Sequence, residues 1–327
     1  MTSRERFIAA LERRPITGHV PHFELVFYLT QEAIGKVHPL HRCFAQWAQM
    51  SENERLLQRE DIADCYLEIA RRYRHDAIFF HPFIDAPEAE LYRLLETLRL
   101  RGGDDYFVMV HGDATFSIPD GEHMMEFVEQ AYLHPEALKD EAQRLVDAQL
   151  ARAAKMQGYG LLDGYALCAD YCFNSGPFLP PDLFAELVTP YLAALTTGLR
   201  EMGYYVIKHS DGNIMPILDQ LASTGPHALH SLAPQGGVDL AEVKRRVGDQ
   251  LCLIGNVHCG ALSSGSPAEI TEATRYALQH GMPGGGYIFS TSNCIYTGMP
   301  LKNYERMWQI WRKEGIYPAR TRQEASL

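Results

Sequence analysis

The sequence predicts an α/β protein folded as one (β/α)8 barrel, and three observations predict it. Eight short apolar runs alternate with helix-patterned stretches from residue 20 to residue 314. Those runs are apolar at successive positions, as strands covered on both faces by helices must be. No G-x-G-x-x-G string follows the first run, which argues against a doubly wound nucleotide-binding sheet.

Residues 1–14 read as a helix, with Thr2 or Ser3 as cap and Phe7, Ile8 and Leu11 at helical spacing. HVPHFELVF supplies the first strand over residues 20–27. A helix over 53–73 precedes the second strand, HDAIFFH, and the third ends at His111. Residues 122–156 read as one long helical region before the fourth strand in YGLLDGYALCADY. A helix over 181–202 leads to the fifth strand, YYVIKHSDGN. Helices over 214–223, 239–247 and 267–280 separate the sixth strand (HALHSLAP), the seventh (QLCLIGNVHCG) and the eighth (GGGYIFSTSNC). A helix over 301–314 closes the chain. The expected organisation is one barrel domain over 1–327, with an N-terminal helical extension to about residue 19 and a loose polar tail over 318–327.

Charge and composition narrow the function classes. The formal net charge is −11, with no basic stripe of the kind that binds nucleic acid. No run reaches 18 apolar residues, so no membrane span is expected. The N-terminus is charged and lacks the apolar run of a signal peptide, so a cytoplasmic enzyme is expected. Seven widely spaced cysteines read as reduced thiols. Cys43, Cys65, Cys168, Cys172 and Cys252 read as small apolar residues, as His81, His227 and His258 read as hydrogen-bonded structural histidines.

In a barrel, chemistry sits at the C-terminal ends of the strands. The polar residues that end the apolar runs include Glu24, His111, Asp113, Asp170, His209, Asp211, His230, Cys259, Asn293 and Cys294. His209 and Asp211 lie two apart on one strand and so face one side. Cys294 ends the eighth strand and Cys259 the seventh, so the mouth can bring an imidazole, a carboxylate and thiols together. That donor set suits zinc. Glu24, Asp113 and Asp170 are left to orient a substrate or supply a proton.

Several strings resemble the uroporphyrinogen decarboxylase superfamily. They are TSRERFIAAL, FNSGPFLPPDLFAELVTPYL, HSDGNIMPILDQL, VDLAEVKRRVGDQLCLIGNV, SPAEITEATRYALQHG, GGGYIFSTSN and MPLKNYERMW, in that order. The resemblance implies a (β/α)8 barrel and one of two chemistries. The porphyrinogen decarboxylases of the superfamily carry an arginine-rich loop after the first strand. Here that place reads FELVFYLTQEAIG, with acids and no arginine, which is a poor cradle for an octa-anionic tetrapyrrole. The corrinoid-dependent methyltransferases of the superfamily bind zinc through a His-x-Cys pair on the fifth strand and a Cys on the eighth. This chain has His209-Ser210-Asp211 and Cys294 at those places. A carboxylate in place of a thiolate leaves more positive charge on the metal, which favours polarising an ether or amine over activating a thiol. The resemblance therefore implies a zinc-dependent methyltransferase of the O-demethylase type. It would move a methyl group from a small methylated donor, such as an aryl methyl ether, to a corrinoid on a separate partner protein. A homodimer is compatible with it. The competing expectations are a metal-free decarboxylase, a hydrolase in which zinc activates water, and a non-catalytic tetrapyrrole-binding barrel.

Overall fold

The structure, a computed structural model, describes residues 1–42, 46–81 and 88–318. Seven parallel strands form one curled sheet in sequence order: Ala77–Phe79, Phe107–His111, Gly164–Leu167, Tyr205–Ser210, Ala228–Ser231, Cys252–Val257 and Tyr287–Thr291. The first barrel position is held by residues 20–27. Single parallel bridges join this segment to the last strand at His22–Phe289 and to the loop after it at Phe27–Ile295. On its other side the amide of Asp76 donates to the carbonyl of His22 at 2.7 Å. Counted from that segment, Tyr205–Ser210 is the fifth strand and Tyr287–Thr291 the eighth, and the protein is a (β/α)8 barrel.

The regular first strand expected over 20–27 is thus an irregular stave. Pro21 has no N–H to donate, though its carbonyl accepts from the Phe289 amide at 2.8 Å, and a side chain adds to the few main-chain bonds. The Glu24 carboxylate accepts from the Thr291 amide at 3.1 Å and the Thr291 hydroxyl at 2.6 Å.

Side chains alternate along the strands. Phe79, Phe107, Met109, Ile207, Ala228, Ile254 and Ile288 fill the barrel interior, while Val108, Val206, Leu253 and Phe289 pack outward in the larger core beneath the helices. The N-terminal helix Ser3–Leu11 starts at a Thr2–Glu5 capping box and closes the barrel's N-terminal end. Its Phe7 is fully buried, with ring centroids 5.8 Å from Phe23 and 4.8 Å from Phe107. Two ion pairs pin it: Arg4 to Asp163 at 2.6 Å, which Arg99 also engages, and Arg6 to Asp76 at 2.5 Å.

Two long helices foreseen in the sequence are each broken by a proline. Residues 122–156 form Met124–Leu133 and Pro135–Gln157, and residues 181–202 form Pro181–Leu187 and Thr189–Glu201. In both cases the proline sits in the first turn of the second helix, where its missing N–H and fixed φ are tolerated. Ile316–Tyr317 pairs antiparallel with Gly18–His19. Cys43 and all of the expected tail except Pro318 lie outside the described residues. Among the described residues, no helix is long and apolar enough to cross a membrane.

Candidate metal centre

His209 follows Ile207 by two residues on the fifth strand, so its ring enters the barrel mouth on the same side. Asp211 is the next residue of that face, and Asp170 follows the fourth strand. The three bring one ligand atom each within 4.8 Å of one another. His209 Nε2 lies 3.6 Å from Asp170 Oδ1 and 3.9 Å from Asp211 Oδ1.

The hydrogens on two neighbouring rings determine what faces those carboxylates. The carbonyl of Thr291 can only accept, so His230 Nε2, 3.3 Å away, carries a hydrogen. Burial holds His230 well below its ordinary pKa and brings His209 down to about 3, with Lys208 adding to the second shift. Both rings are therefore neutral at pH 7. A neutral His230 offers a lone pair at Nδ1, which accepts from His209 Nδ1 at 2.8 Å. His209 Nε2 is left with a lone pair turned toward two carboxylates. Three electron-rich groups converge with no hydrogen between them, an arrangement that a cation relieves.

The donor set fits a small divalent ion. Metal–ligand distances of about 2.0–2.1 Å in a tetrahedral site imply ligands roughly 3.4 Å apart, and the two carboxylates stand a few tenths of an ångström farther than that from His209 Nε2. One imidazole and two carboxylates suit zinc; a ligating histidine usually donates its other N–H to a carboxylate, carbonyl or water, and here the buried His230 ring takes that place.

The neighbours hold the carboxylates in place. Asp170 Oδ1 accepts from the Asp211 amide at 2.8 Å. Asp211 accepts from the Ser231 hydroxyl at 2.5 Å and from the Asn293 amide group. Burial raises the Asp211 pKa to about 6; the Asp170 charge adds to the rise, and the two hydrogen bonds oppose it. Ser231 and Leu232 both adopt positive φ, 88° and 51°, without being glycine. Strained backbone of this kind persists where the surroundings over-determine it, and here it aims the Ser231 hydroxyl at Asp211.

The expected residues fall into three groups. His209 and Asp211 are brought together as foreseen, and Asp170, expected to act on substrate, joins them as a third donor. Cys259 and Cys294, expected as ligands, share no such group among the described residues. The Cys259 thiol sits 3.7 Å from the Cys294 carbonyl and 3.6 Å from the Ser292 hydroxyl, and burial raises its pKa to about 11. Burial also pushes up the Cys294 thiol, which packs against the barrel's interior cluster. Glu24 and Asp113, expected to touch substrate, are locked into the frame. Glu24 is buried and bound to Ser290, Thr291 and His22. Asp113 accepts from Lys208 Nζ at 2.7 Å, the Ala169 amide at 2.8 Å and the Thr115 hydroxyl at 2.6 Å. Lys208 was not singled out from the sequence. It is 1% exposed, donates to the Ala169 carbonyl at 2.9 Å and stands 4.1 Å from the centre of the Tyr171 ring. A lysine inside the apolar run YVIKHS was the signal, because a buried cation must be paired.

This geometry defines a barrel with a metal-competent mouth. The family profile described as uroporphyrinogen decarboxylase (URO-D) matches residues 117–314, and the chain belongs to that family. The uroporphyrinogen decarboxylase of Photobacterium profundum is 26% identical over 208 residues, 60% of this chain and 52% of that protein. That of Sodalis glossinidius is 28% identical over 127 residues, 36% of this chain and 33% of its own length. The matched region thus spans about half the length of the first of these relatives and a third of the second. Among solved structures, a methyltransferase from Methanosarcina mazei superposes with a TM-score of 0.74 at 16% identity, covering 96% of this chain and 99% of that one. At that identity the likeness concerns the fold.

Proposed function

We propose that this chain is a zinc-dependent methyltransferase that passes a methyl group from a small methylated donor to a corrinoid carried by a separate protein. The observation that carries the reading is the convergence of His209 Nε2 with the carboxylates of Asp170 and Asp211. A zinc ion held by these three residues would supply Lewis acidity to the heteroatom that leaves the methyl group. The chain's own residues do the rest. His230 holds the His209 ring by accepting its Nδ1 hydrogen, which turns the Nε2 lone pair toward the carboxylates. Ser231 and Asn293 fix the Asp211 carboxylate, and the Asp211 amide fixes that of Asp170. Glu24 and Asp113 act as positioning residues. Glu24 ties the first stave to the eighth strand, and the Asp113–Lys208 pair ties the third strand's end to the fifth. We place the acceptor on a separate corrinoid protein docking over the mouth, as the family resemblance implies.

The donor chemistry favours methyl transfer over the decarboxylation named for the sequence relatives. A carboxylate pair at the centre of the mouth repels a polyanionic tetrapyrrole, whose side chains need cations. The test is methyl transfer from an aryl methyl ether, such as 2-methoxyphenol, to a reduced corrinoid protein, followed by the change in cobalt absorbance. Activity that requires zinc and vanishes in His209→Ala supports the reading. Unchanged turnover in metal-free protein, coproporphyrinogen formed from uroporphyrinogen, or hydrolysis without any corrinoid acceptor would each displace it.

A further inference from the structure

The interior-facing rows of the barrel strands end in one polar layer. Strand alternation puts His81 two residues beyond Phe79, His111 two beyond Met109, Cys168 two beyond Ala166, His209 two beyond Ile207 and His230 two beyond Ala228, and each of those predecessors belongs to the interior cluster. His209 and His230 belong to the metal centre, and His111 stands apart from it. His111 ends the third strand and is exposed at the mouth. Its neighbour Gly112 turns the other way, where a Cβ would collide with the Tyr165 ring of the outer core. A charge on His111 would be felt at both His81 and His209, so the layer runs unbroken from the second strand to the fifth.

Hydrogen positions decide what His111 offers. The Asp113 amide can only donate, so His111 Nδ1, 3.1 Å away, is an acceptor. Burial holds the His111 pKa below its ordinary value, and at pH 7 the neutral ring carries its hydrogen at Nε2. Asp113 is itself held by Lys208, Thr115 and the Ala169 amide, which keeps that tautomer in place. The Nε2–H has no acceptor among the described residues. The third strand lies one place from the fourth and two from the fifth, about 5 to 10 Å around the mouth. Between them Cys168 is half-buried against the interior cluster, as are Tyr28 and Cys294, so the floor between this donor and the metal centre is apolar. Such a floor with a polar group at each end suits a flat molecule. Its leaving heteroatom meets the metal centre, and an acceptor on its far side meets His111.

We propose that His111 is a specificity-determining residue of the barrel mouth: its Nε2–H receives an acceptor oxygen on the side of an aryl methyl ether opposite the methoxy group, with the ring lying over Cys168. The donor class rests on the methyl-transfer reading above, but the test reads binding alone. The experiment is calorimetric titration of the intact chain, with added zinc and again in EDTA, using 4-methoxyacetophenone and 4-isopropylanisole. The second ligand has nearly the shape of the first and lacks the carbonyl acceptor. The ketone should bind about tenfold more tightly to the wild type. Its carbonyl stretch should move to lower frequency on binding. His111→Phe keeps a ring and removes the N–H, so it should bring the two ligands level and return the stretch to its free position. His111→Gln, whose amide N–H reaches the place of Nε2, should restore most of the preference. A merely structural role would weaken both ligands together in both variants, and would overturn the proposal. A preference that persists in EDTA supports it even where zinc changes neither affinity, an outcome that counts against the metal reading alone. Equal affinities in the wild type, no saturable binding of the ketone, or a preference unaltered by His111→Phe would also overturn it.

Discussion

Replacing Asp211 with asparagine should stabilise the metal-free protein while it destroys the centre. Burial beside Asp170 raises the folded pKa of Asp211 to about 6, against an ordinary 3.8. A raised acid contributes full stability below its unfolded pKa, and that contribution is lost as pH rises through the folded value. The window is therefore pH 4 to 6, and at pH 7.5 the ionised carboxylate opposes folding. A shift of about 2 units corresponds to about 3 kcal/mol. The side chain is 25% exposed, and solvent screening brings the figure down to about 2 kcal/mol. An asparagine fits the same contacts. Its carbonyl accepts from Asn293, and its nitrogen donates to Ser231, whose hydroxyl turns to the Ser292 carbonyl 2.6 Å away. For a chain of this length the gain amounts to roughly 3 °C in Tm. The assay is thermal unfolding of both proteins in EDTA from pH 4 to 7.5. The variant should gain on the wild type across that range and match it at pH 4. Added zinc should then stabilise the wild type alone. A variant that melts lower at pH 7.5, or a difference that does not vary with pH, would refute the account of Asp211.

Three further outcomes follow from the same geometry. His230→Ala removes the ring that accepts the His209 Nδ1 hydrogen, and should weaken zinc about 10- to 100-fold in a chelator competition without changing the stoichiometry. Lys208→Met leaves Asp113 as an uncompensated buried charge and should cost about 3–5 kcal/mol in urea unfolding, most of it recovered by adding Asp113→Asn. Cys294→Ser should still bind zinc, because the three donors are an imidazole and two carboxylates; loss of metal there would restore the thiol to the ligand set.

The barrel was legible because its determinants are local: eight apolar runs separated by helical periodicity. The first stave was placed correctly at 20–27, but its irregularity escaped: two isolated bridges with a few main-chain bonds, helped by the Glu24 side chain, join it to its neighbours in place of a continuous ladder. His209 and Asp211 were legible for the same local reason, since i and i+2 on a strand share a face. Asp170 was visible as a strand-end acid, but its distance to His209 depends on the stagger between the fourth and fifth strands, which no residue spacing encodes. The thiols show the converse. Cys259 and Cys294 end their strands, as spacing required, yet Cys259 turns to Ser292 and the Cys294 carbonyl. The role of His230 depends on hydrogen positions across three strands and could not be read at all from the chain.

Elemental analysis of protein dialysed against limiting zinc tests the central claim most directly. The arrangement of Asp170, His209 and Asp211 predicts one zinc per chain in the wild type and none in His209→Ala or in the double variant Asp170→Asn with Asp211→Asn. A wild-type chain that retains no metal, or a double variant that retains a full equivalent, would contradict it.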